Sequence, residues 1–301
     1  ISLALQRHEI EPSEKDRAGV FLTNALTGWE PPEEPQEILF PALREERERA
    51  EEVKQNEDII VILGNPPYNG FAGVSVGEER ALSDAYRETD EAPDPRGHGL
   101  NDLYVRFFRI AERQIVEYAK RGVVSYISNY SWLDGLSHTG MREGYLDVFD
   151  DIQIDCLNGD KYRTGKLTPE GKPDPSIFST DWNEQGIQVG TAISTLVRDE
   201  TRDEHGVEEV RFRQFWGNEK LAELEQQAQT ECPREGEGVE CIHPQPELGF
   251  PFRSRETHQN YFQWAALPSI FPAHFSGVQT ARDNFLVDVR SEERRVGKEC
   301  I

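Results

Sequence analysis

A rigid turn, Gly64-Asn65-Pro66-Pro67-Tyr68, follows five apolar residues at 59–63, four of which are β-branched. Proline fixes its own φ and restricts the residue before it, so the Asn65 side-chain oxygen and the Pro66 carbonyl form a stiff pair of acceptors. Two acceptors suit an exocyclic amino group on a flat ring, because hydrogen bonds to both N–H groups restore the nucleophilic lone pair of the nitrogen. Tyr68 adds a ring on which a base can stack, a contact worth about 1–3 kcal/mol. The turn predicts in-line methyl transfer to an amino nitrogen, helped mainly by positioning; the alternative is a turn that only ends a strand.

Alternating strands and helices are predicted to position this turn. Apolar runs indicate strands at 18–26, 58–64, 122–129, 151–159 and 190–199, and helical periodicity indicates helices at 37–57, 101–121 and 139–150. Near-continuous apolar strands that alternate with helices are typical of a parallel α/β sheet. Ligands bind beyond the carboxyl ends of the strands in such sheets, which is where we expect Asn65.

The strand–helix pattern breaks near residue 200 into irregular pieces that contain many prolines and glycines. We therefore expect a catalytic part at 1–200 and a second region at 201–289. The stretch 69–99 is predicted to be a long loop with a helical turn near 78–87, and loops of this length often cover or bind a ligand.

The chain is strongly acidic, with a net charge of −23 at pH 7 and only eight lysines among its 33 basic residues. Such a balance favours solubility and disfavours nucleic-acid binding. Scarce lysine with abundant carboxylates is also typical of proteins from salt-in halophiles, where molar salt shortens the Debye length to about 3 Å and screens the repulsion. Two interpretations stay open: a halophilic protein that still meets DNA, or an acidic protein that never does.

Both ends of the sequence suggest that it is a fragment. Ile1 starts in mid-pattern without an initiator Met, and 290–301 is similar to the in-frame translation of a common sequencing adapter, so we expect an artefact there and not a genuine basic tail. No leader or membrane-spanning run is visible, and the four cysteines form no C-x-x-C pair. A reducing, cytoplasmic location is the default expectation.

The Asn-Pro-Pro-Tyr turn resembles the catalytic motif of amino-methyltransferases that use S-adenosylmethionine. The surrounding stretches "NDLYVRFFRIA", "GVVSYISNYSWLDG" and "MREGYLDVFDDIQIDCLNGD" extend this resemblance to type ISP restriction–modification enzymes, single polypeptides that combine a methyltransferase and a target-recognition region. The resemblance covers nearly all of 1–289. It implies an α/β, Rossmann-like methyltransferase sheet of order 3-2-1-4-5-7-6, in which 18–24 is the third strand and 58–64 the fourth.

By this resemblance the first two strands, and the glycine-rich loop that holds the cofactor, would precede Ile1. The fourth strand would then present an open, apolar edge. The family also carries nuclease and helicase domains upstream of its methyltransferase, so the full-length chain is expected to carry them.

The resemblance and the basic residues together predict the site. The catalytic residues would be Asn65, Pro66, Pro67 and Tyr68. Cofactor contacts would come from Asn24, Asn101 and Tyr104, although a turn role for Asn24 and a capped helix start near Asn101 are the alternatives. The lysine cluster at 158–172 predicts phosphate contacts, with a solvated surface loop as the alternative. The predicted DNA contacts are Lys161, Arg163, Lys166, Lys172 and Arg282.

Three polar or aromatic residues after the predicted strand 122–129 stay open between base contact and packing: Asn129, Tyr130 and Trp132. The seven histidines show no metal spacing, so no metal is expected. The expected function is a DNA methyltransferase that transfers a methyl group from S-adenosylmethionine to a flipped base, with adenine N6 favoured. The alternatives are cytosine N4, an RNA base or a protein glutamine as acceptor, or an inactive DNA-recognition module.

Overall fold

The computed structural model describes residues 19–29, 40–68, 77–201, 206–227, 238–254, 260–265 and 267–271. Residues 1–254 belong to one compact unit and residues 255–301 to another. Arg282 and the stretch 290–301 lie outside the described residues.

The first unit alternates helices with strands. Its α-helices are α1 (Pro41–Asn56), α2 (Gly77–Asp84), α3 (Leu103–Glu112), α4 (Thr139–Val148) and α5 (Lys220–Gln227), with a π-helical turn at Arg113–Tyr118 after α3. Its strands are β1 (Val61–Gly64), β2 (Gly122–Asn129), β3 (Asp151–Asn158), β4 (Thr191–Arg198), β5 (Val210–Gln214) and β6 (Glu240–Ile242). In the second unit, the described residues form a 3-10 turn at Tyr261–Gln263 and one short helix, α6 (Leu267–Ile270).

The six strands form one sheet in the order β1-β2-β4-β3-β5-β6. The strands β1, β2, β3 and β5 point the same way, whereas β4 and β6 run antiparallel to their neighbours. The predicted α/β class is confirmed, and the first four strands follow the 4-5-7-6 part of the order that the resemblance implies. The sheet is mixed, however, and the prediction of a parallel sheet is wrong for β4, because apolar periodicity carries no information about strand direction.

The predicted strand at 18–26 is wrong for the described residues 19–26, which form an irregular segment with a turn. Asn24 accepts a hydrogen bond from the Leu26 N–H through its side chain (2.9 Å), which favours a turn over an extended strand. The ammonium of Lys54, in the last turn of α1, donates to the carbonyls of Asn24 (2.7 Å) and Thr27 (2.8 Å). The segment is therefore tied to a helix and not to the sheet.

The sheet continues past residue 200, where the sequence predicted only irregular structure. β5 pairs parallel with β3, and β6 pairs antiparallel with β5. The first compact unit accordingly reaches Ser254. The strands after residue 200 thus share one sheet with those before it. A functional division at residue 200 stays a prediction.

An aromatic cluster forms the centre of the core. Trp132 packs against Phe108 (ring centroids 5.3 Å apart), Tyr145 (5.9 Å) and Phe252 (5.7 Å), and all four side chains are almost fully buried. Burial of each such side chain is worth roughly 1.5–3 kcal/mol. The cluster joins α3, α4 and the chain beyond β6, so it holds the carboxyl side of the sheet rigid.

The outer edge of β1 is open within the described part of the chain, as predicted for the fourth strand. β1 pairs only with β2 there, and its Val61 and Leu63 side chains are 56 % and 71 % exposed. None of the helices that the structure describes is both long and apolar enough to cross a lipid bilayer.

Candidate functional site

The Asn65–Tyr68 turn lies directly beyond the carboxyl end of β1, as predicted. The Asn65 side chain is exposed, Pro66 is buried and Tyr68 is half-buried. The Tyr68 hydroxyl lies 3.1 Å from Asn65 Oδ1 and 3.2 Å from the backbone oxygen of Ile127 in β2. The turn is thus fastened to the neighbouring strand, and it presents the Asn65 carboxamide at the edge where the parallel strands end.

The Tyr68 hydroxyl is a permanent donor in this position. Burial raises the pKa of Tyr68 to about 12, so the phenol stays neutral at physiological pH. One O–H hydrogen faces two acceptors, the Asn65 oxygen and the Ile127 carbonyl. Donation to Ile127 leaves the Asn65 oxygen available to an incoming amino group, whereas donation to Asn65 orients the carboxamide before that group arrives.

The end of β2 supplies the next wall of the site. Asn129 accepts hydrogen bonds from the Ser131 N–H (2.8 Å) and hydroxyl (2.7 Å), and it thereby caps the 3-10 turn at Tyr130–Leu133. Trp132 is fully buried in the aromatic cluster, so its role is packing. The Tyr130 N–H donates to the Gly190 carbonyl (3.0 Å), which joins the end of β2 to the start of β4.

In each of the three predicted cofactor residues, a polar side-chain atom has a hydrogen-bond partner within the chain. The Asn24 oxygen accepts from the Leu26 N–H, and the Asn101 oxygen accepts from Arg87 Nη2 (3.3 Å). Tyr104 is buried, and its hydroxyl lies 3.1 Å from His138 Nε2. Burial, reinforced by Arg142, lowers the pKa of His138 to about 3, so this imidazole is neutral and supports Tyr104 as a wall of the core.

The chain between β3 and β4, residues 159–190, forms a lobe at the same edge of the sheet; we call it the β3–β4 lobe. The carboxylate of Asp160 accepts from the N–H groups of Tyr162 (2.6 Å), Arg163 (2.7 Å) and Gly190 (2.8 Å), and so clamps the two ends of the lobe together. Burial raises the pKa of Asp160, but the backbone donors outweigh burial and the net pKa is lowered. The lobe is therefore built on an ionised carboxylate.

A second buried carboxylate fixes the base of the lobe. Asp174 accepts from the N–H groups of Gly159 (2.7 Å) and Gly217 (2.8 Å) and pairs with Lys220 at 2.6 Å. The side chains of Asp174 and Lys220 are 0 % and 3 % exposed. Removing one partner of such a pair leaves a buried charge uncompensated, so this ion pair holds the lobe in place.

Four of the five predicted DNA contacts lie on this lobe. Lys161 and Lys172 are exposed, and Arg163 is 40 % exposed while it pairs with Asp134 at 2.9 Å. Lys166 is half-buried and donates to the Gln185 carbonyl, so its ammonium ties the lobe together. The structure brings the other three cations to one lobe.

Sequence reasoning missed Arg253, whose guanidinium carbon lies 4.9 Å from the centroid of the Tyr130 ring. The guanidinium carbon of Arg163 lies 5.0 Å from the same centroid. No local pattern marks Arg253, because Tyr130 and Arg253 are far apart in the chain and meet only through packing. In the part of the chain that the structure describes, no group of His, Cys, Asp or Glu side chains could hold a metal ion.

No protein-family model and no curated protein matches the sequence. Three solved structures are similar in fold: the ATP-dependent type ISP restriction-modification enzyme LlaBIII bound to DNA, a nuclease-deletion mutant of the type ISP enzyme LlaGI with a DNA substrate mimic, and the DrdV–DNA complex. Their TM-scores are 0.58, 0.56 and 0.52, and their sequence identities are 21 %, 23 % and 21 %.

The match covers 79 % of this chain for LlaBIII, 75 % for LlaGI and 74 % for DrdV. It spans only 15 %, 20 % and 21 % of those proteins. At such identities the similarity establishes the fold: this chain is folded like a part of the type ISP restriction-modification enzymes.

Proposed function

We propose that this chain is part of a site-specific DNA methyltransferase of a restriction–modification system, with the exocyclic amino group of a flipped base as methyl acceptor and adenine N6 favoured. The observation that carries the proposal is the exposed Asn65 carboxamide at the carboxyl edge of the sheet, oriented by the Tyr68 hydroxyl. A fixed acceptor at this place suits an amino group that must be held while its nitrogen attacks. The catalytic residues would be Asn65, Pro66, Pro67 and Tyr68.

Double-stranded DNA is the proposed substrate. The β3–β4 lobe presents Lys161, Arg163 and Lys172 at the edge that carries Asn65, and cations position a protein on the phosphate backbone. The DNA-bound state of proteins with a similar fold supports the same choice. The net charge of −23 opposes binding in dilute buffer, so we also propose a halophilic source, in which salt screens this repulsion. We also propose a cytoplasmic location for the protein, which agrees with a DNA substrate.

S-adenosylmethionine is the proposed cofactor on the strength of the sequence resemblance, and it would supply the methyl group. The described residues fit the target amine better than the cofactor, since Asn24, Asn101 and Tyr104 all turn their polar atoms to partners in the chain. They do not form a cofactor cradle. This observation favours a second candidate, a DNA-recognition module that is inactive on its own.

The test is a methyl-transfer assay with labelled S-adenosylmethionine and unmethylated genomic DNA, using this chain and any longer protein that contains it. The DNA is digested to nucleosides and analysed by mass spectrometry. N6-methyldeoxyadenosine is the expected product, and N4-methyldeoxycytidine would move the target to cytosine. DNA binding without transfer would favour the recognition module, and label in RNA or in protein glutamine would overturn the choice of DNA.

A further inference from the structure

Two arginine side chains share one aromatic ring beside the candidate site. The guanidinium carbons of Arg163 and Arg253 lie 5.0 Å and 4.9 Å from the Tyr130 centroid. The two cations are therefore at most about 10 Å apart, within one Debye length at 0.1 M salt. Cation–π attraction to the ring holds each of them, but the two like charges repel each other. The carboxylates of Asp134 and Asp160 act electrostatically on Arg163, so Arg253 is the cation of the pair that is better suited to an external anion.

The charges of the two arginines are balanced differently. Arg163 forms an ion pair with Asp134, with 2.9 Å between Nη1 and Oδ1. For Arg253, no carboxylate partner is found among the residues that the structure describes. Among the described residues, Arg253 is thus a half-buried arginine whose charge no carboxylate balances, in a chain with 56 acidic side chains against 33 basic ones.

The backbone of Arg253 is fixed by its neighbours. Phe252 is fully buried against Trp132, and its N–H donates to the Leu133 carbonyl at 2.7 Å. Arg142 Nε donates to the Gly249 carbonyl at 2.9 Å, which fastens the chain just before Phe252. Arg253 thus extends from a rigid anchor, and a ligand would not have to order the segment before binding.

The position of this pair relates it to the candidate site. Tyr130 directly follows Asn129, the last residue of β2, and Tyr68 reaches back to Ile127 in the same strand. The arginines and the Asn65 turn therefore lie at the same edge of the sheet. A guanidinium that lies over a ring still has N–H groups in the planar fork that matches a phosphate.

We propose that Arg253, with Arg163 beside it, binds a backbone phosphate of duplex DNA next to the target site. This inference rests on the proposed function and names a contact within it. A phosphate contact is independent of base sequence, so it can be tested without knowledge of the recognition sequence.

The experiment measures the affinity of the full chain for a random 30-base-pair DNA duplex across a range of KCl concentrations in which circular dichroism shows a folded protein. Arg253→Gln is expected to reduce the slope of log affinity against log salt by about one unit, because one phosphate contact is lost. That change corresponds to about a tenfold loss of affinity at 0.1 M relative to 1 M salt. Arg253→Lys keeps the charge, so it should retain the slope while it lowers the affinity.

Arg121→Gln is the matched control. Arg121 is an exposed arginine just before β2, at the opposite edge of the sheet, and its loss should leave the slope unchanged. An unchanged slope in folded Arg253→Gln would overturn the inference, as would an effect on an RNA duplex but not on DNA. If the wild-type chain bound no duplex at any salt concentration, the proposed function would fail as well, so the two failures are distinguishable.

Discussion

The hydroxyl of Tyr68 lies 3.1 Å from the side-chain oxygen of Asn65, and donation to that oxygen orients the acceptor that the proposed reaction requires. The two residues are separated by two prolines, so the turn has little freedom to move the acceptor away. The second contact of the hydroxyl, to Ile127, fastens the turn to β2. The folded chain therefore places a donor beside Asn65 before any substrate binds.

In a longer protein that contains this chain and transfers methyl groups, Asn65→Ala is expected to abolish methyl transfer while duplex binding survives. In the proposed reaction the carboxamide would act on the amino group in the transition state and not on the duplex backbone. Asn65→Asp keeps an acceptor oxygen at the same place and should retain measurable transfer. The measurement pairs single-turnover methylation with a binding titration for each variant, and a wild-type rate in Asn65→Ala would refute the catalytic role.

Lys220→Met is expected to lower the free energy of unfolding by about 3–5 kcal/mol, because it leaves the Asp174 carboxylate buried without its cation. Arg121→Met is the control: it breaks an ion pair with Glu200 in which the side chains are 55 % and 68 % exposed. That change should cost less than about 1 kcal/mol. Urea unfolding measures the free energy of unfolding of both variants. An equal decrease in the two would show that burial of the ion pair does not matter.

His138 is expected to make the fold sensitive to acid. Burial lowers its pKa from 6.5 to about 3. Between these two pH values the imidazole is protonated in the unfolded chain and neutral in the folded chain. The stabilising contribution is complete above pH 6.5 and is lost as the pH falls towards 3, at up to about 1.4 kcal/mol per pH unit. His138→Gln should flatten this part of the profile. The test is to measure the free energy of unfolding of the wild-type chain and of His138→Gln at pH 7 and at pH 4.5. An equal decrease in the two proteins would contradict the prediction.

Salt is expected to stabilise the protein strongly. A net charge of −23 repels itself when it is unscreened, and molar KCl reduces the Debye length to about 3 Å. The melting temperature should rise steeply between dilute buffer and molar KCl. Potassium chloride and an osmolyte such as sucrose can be compared, since only the salt screens charge; a melting temperature that does not change with KCl would contradict the halophilic proposal.

The purified chain is expected to bind S-adenosylmethionine more weakly than low micromolar, because its predicted cofactor residues are engaged with partners in the chain. Isothermal titration measures this directly. A low micromolar dissociation constant, equivalent to about −8 kcal/mol, would show that these residues rearrange to form a cradle.

Local patterns in the sequence were sufficient for the central elements. The β-branched run before Asn65, the two prolines after it and the long apolar runs at β2, β3 and β4 predicted the strands and the turn, because each depends on neighbouring residues. Pro41 likewise marks the start of α1, where its fixed φ suits the first helical position. The segment at 19–26 was misread, because the side-chain cap of Asn24 and its tie to Lys54 compete with an extended strand.

Only the tertiary structure decided how these pieces combine. The resemblance implied the place of β4 between β2 and β3, but the antiparallel direction of β4 and the addition of β5 and β6 after residue 200 depend on long-range pairing that periodicity does not encode. The same holds for Tyr104, whose hydroxyl turns to His138, and for Arg253, which reaches Tyr130. The residues of the Asn65 turn are adjacent in the sequence, whereas Arg163 and Arg253 meet at the Tyr130 ring only because packing brings distant residues together.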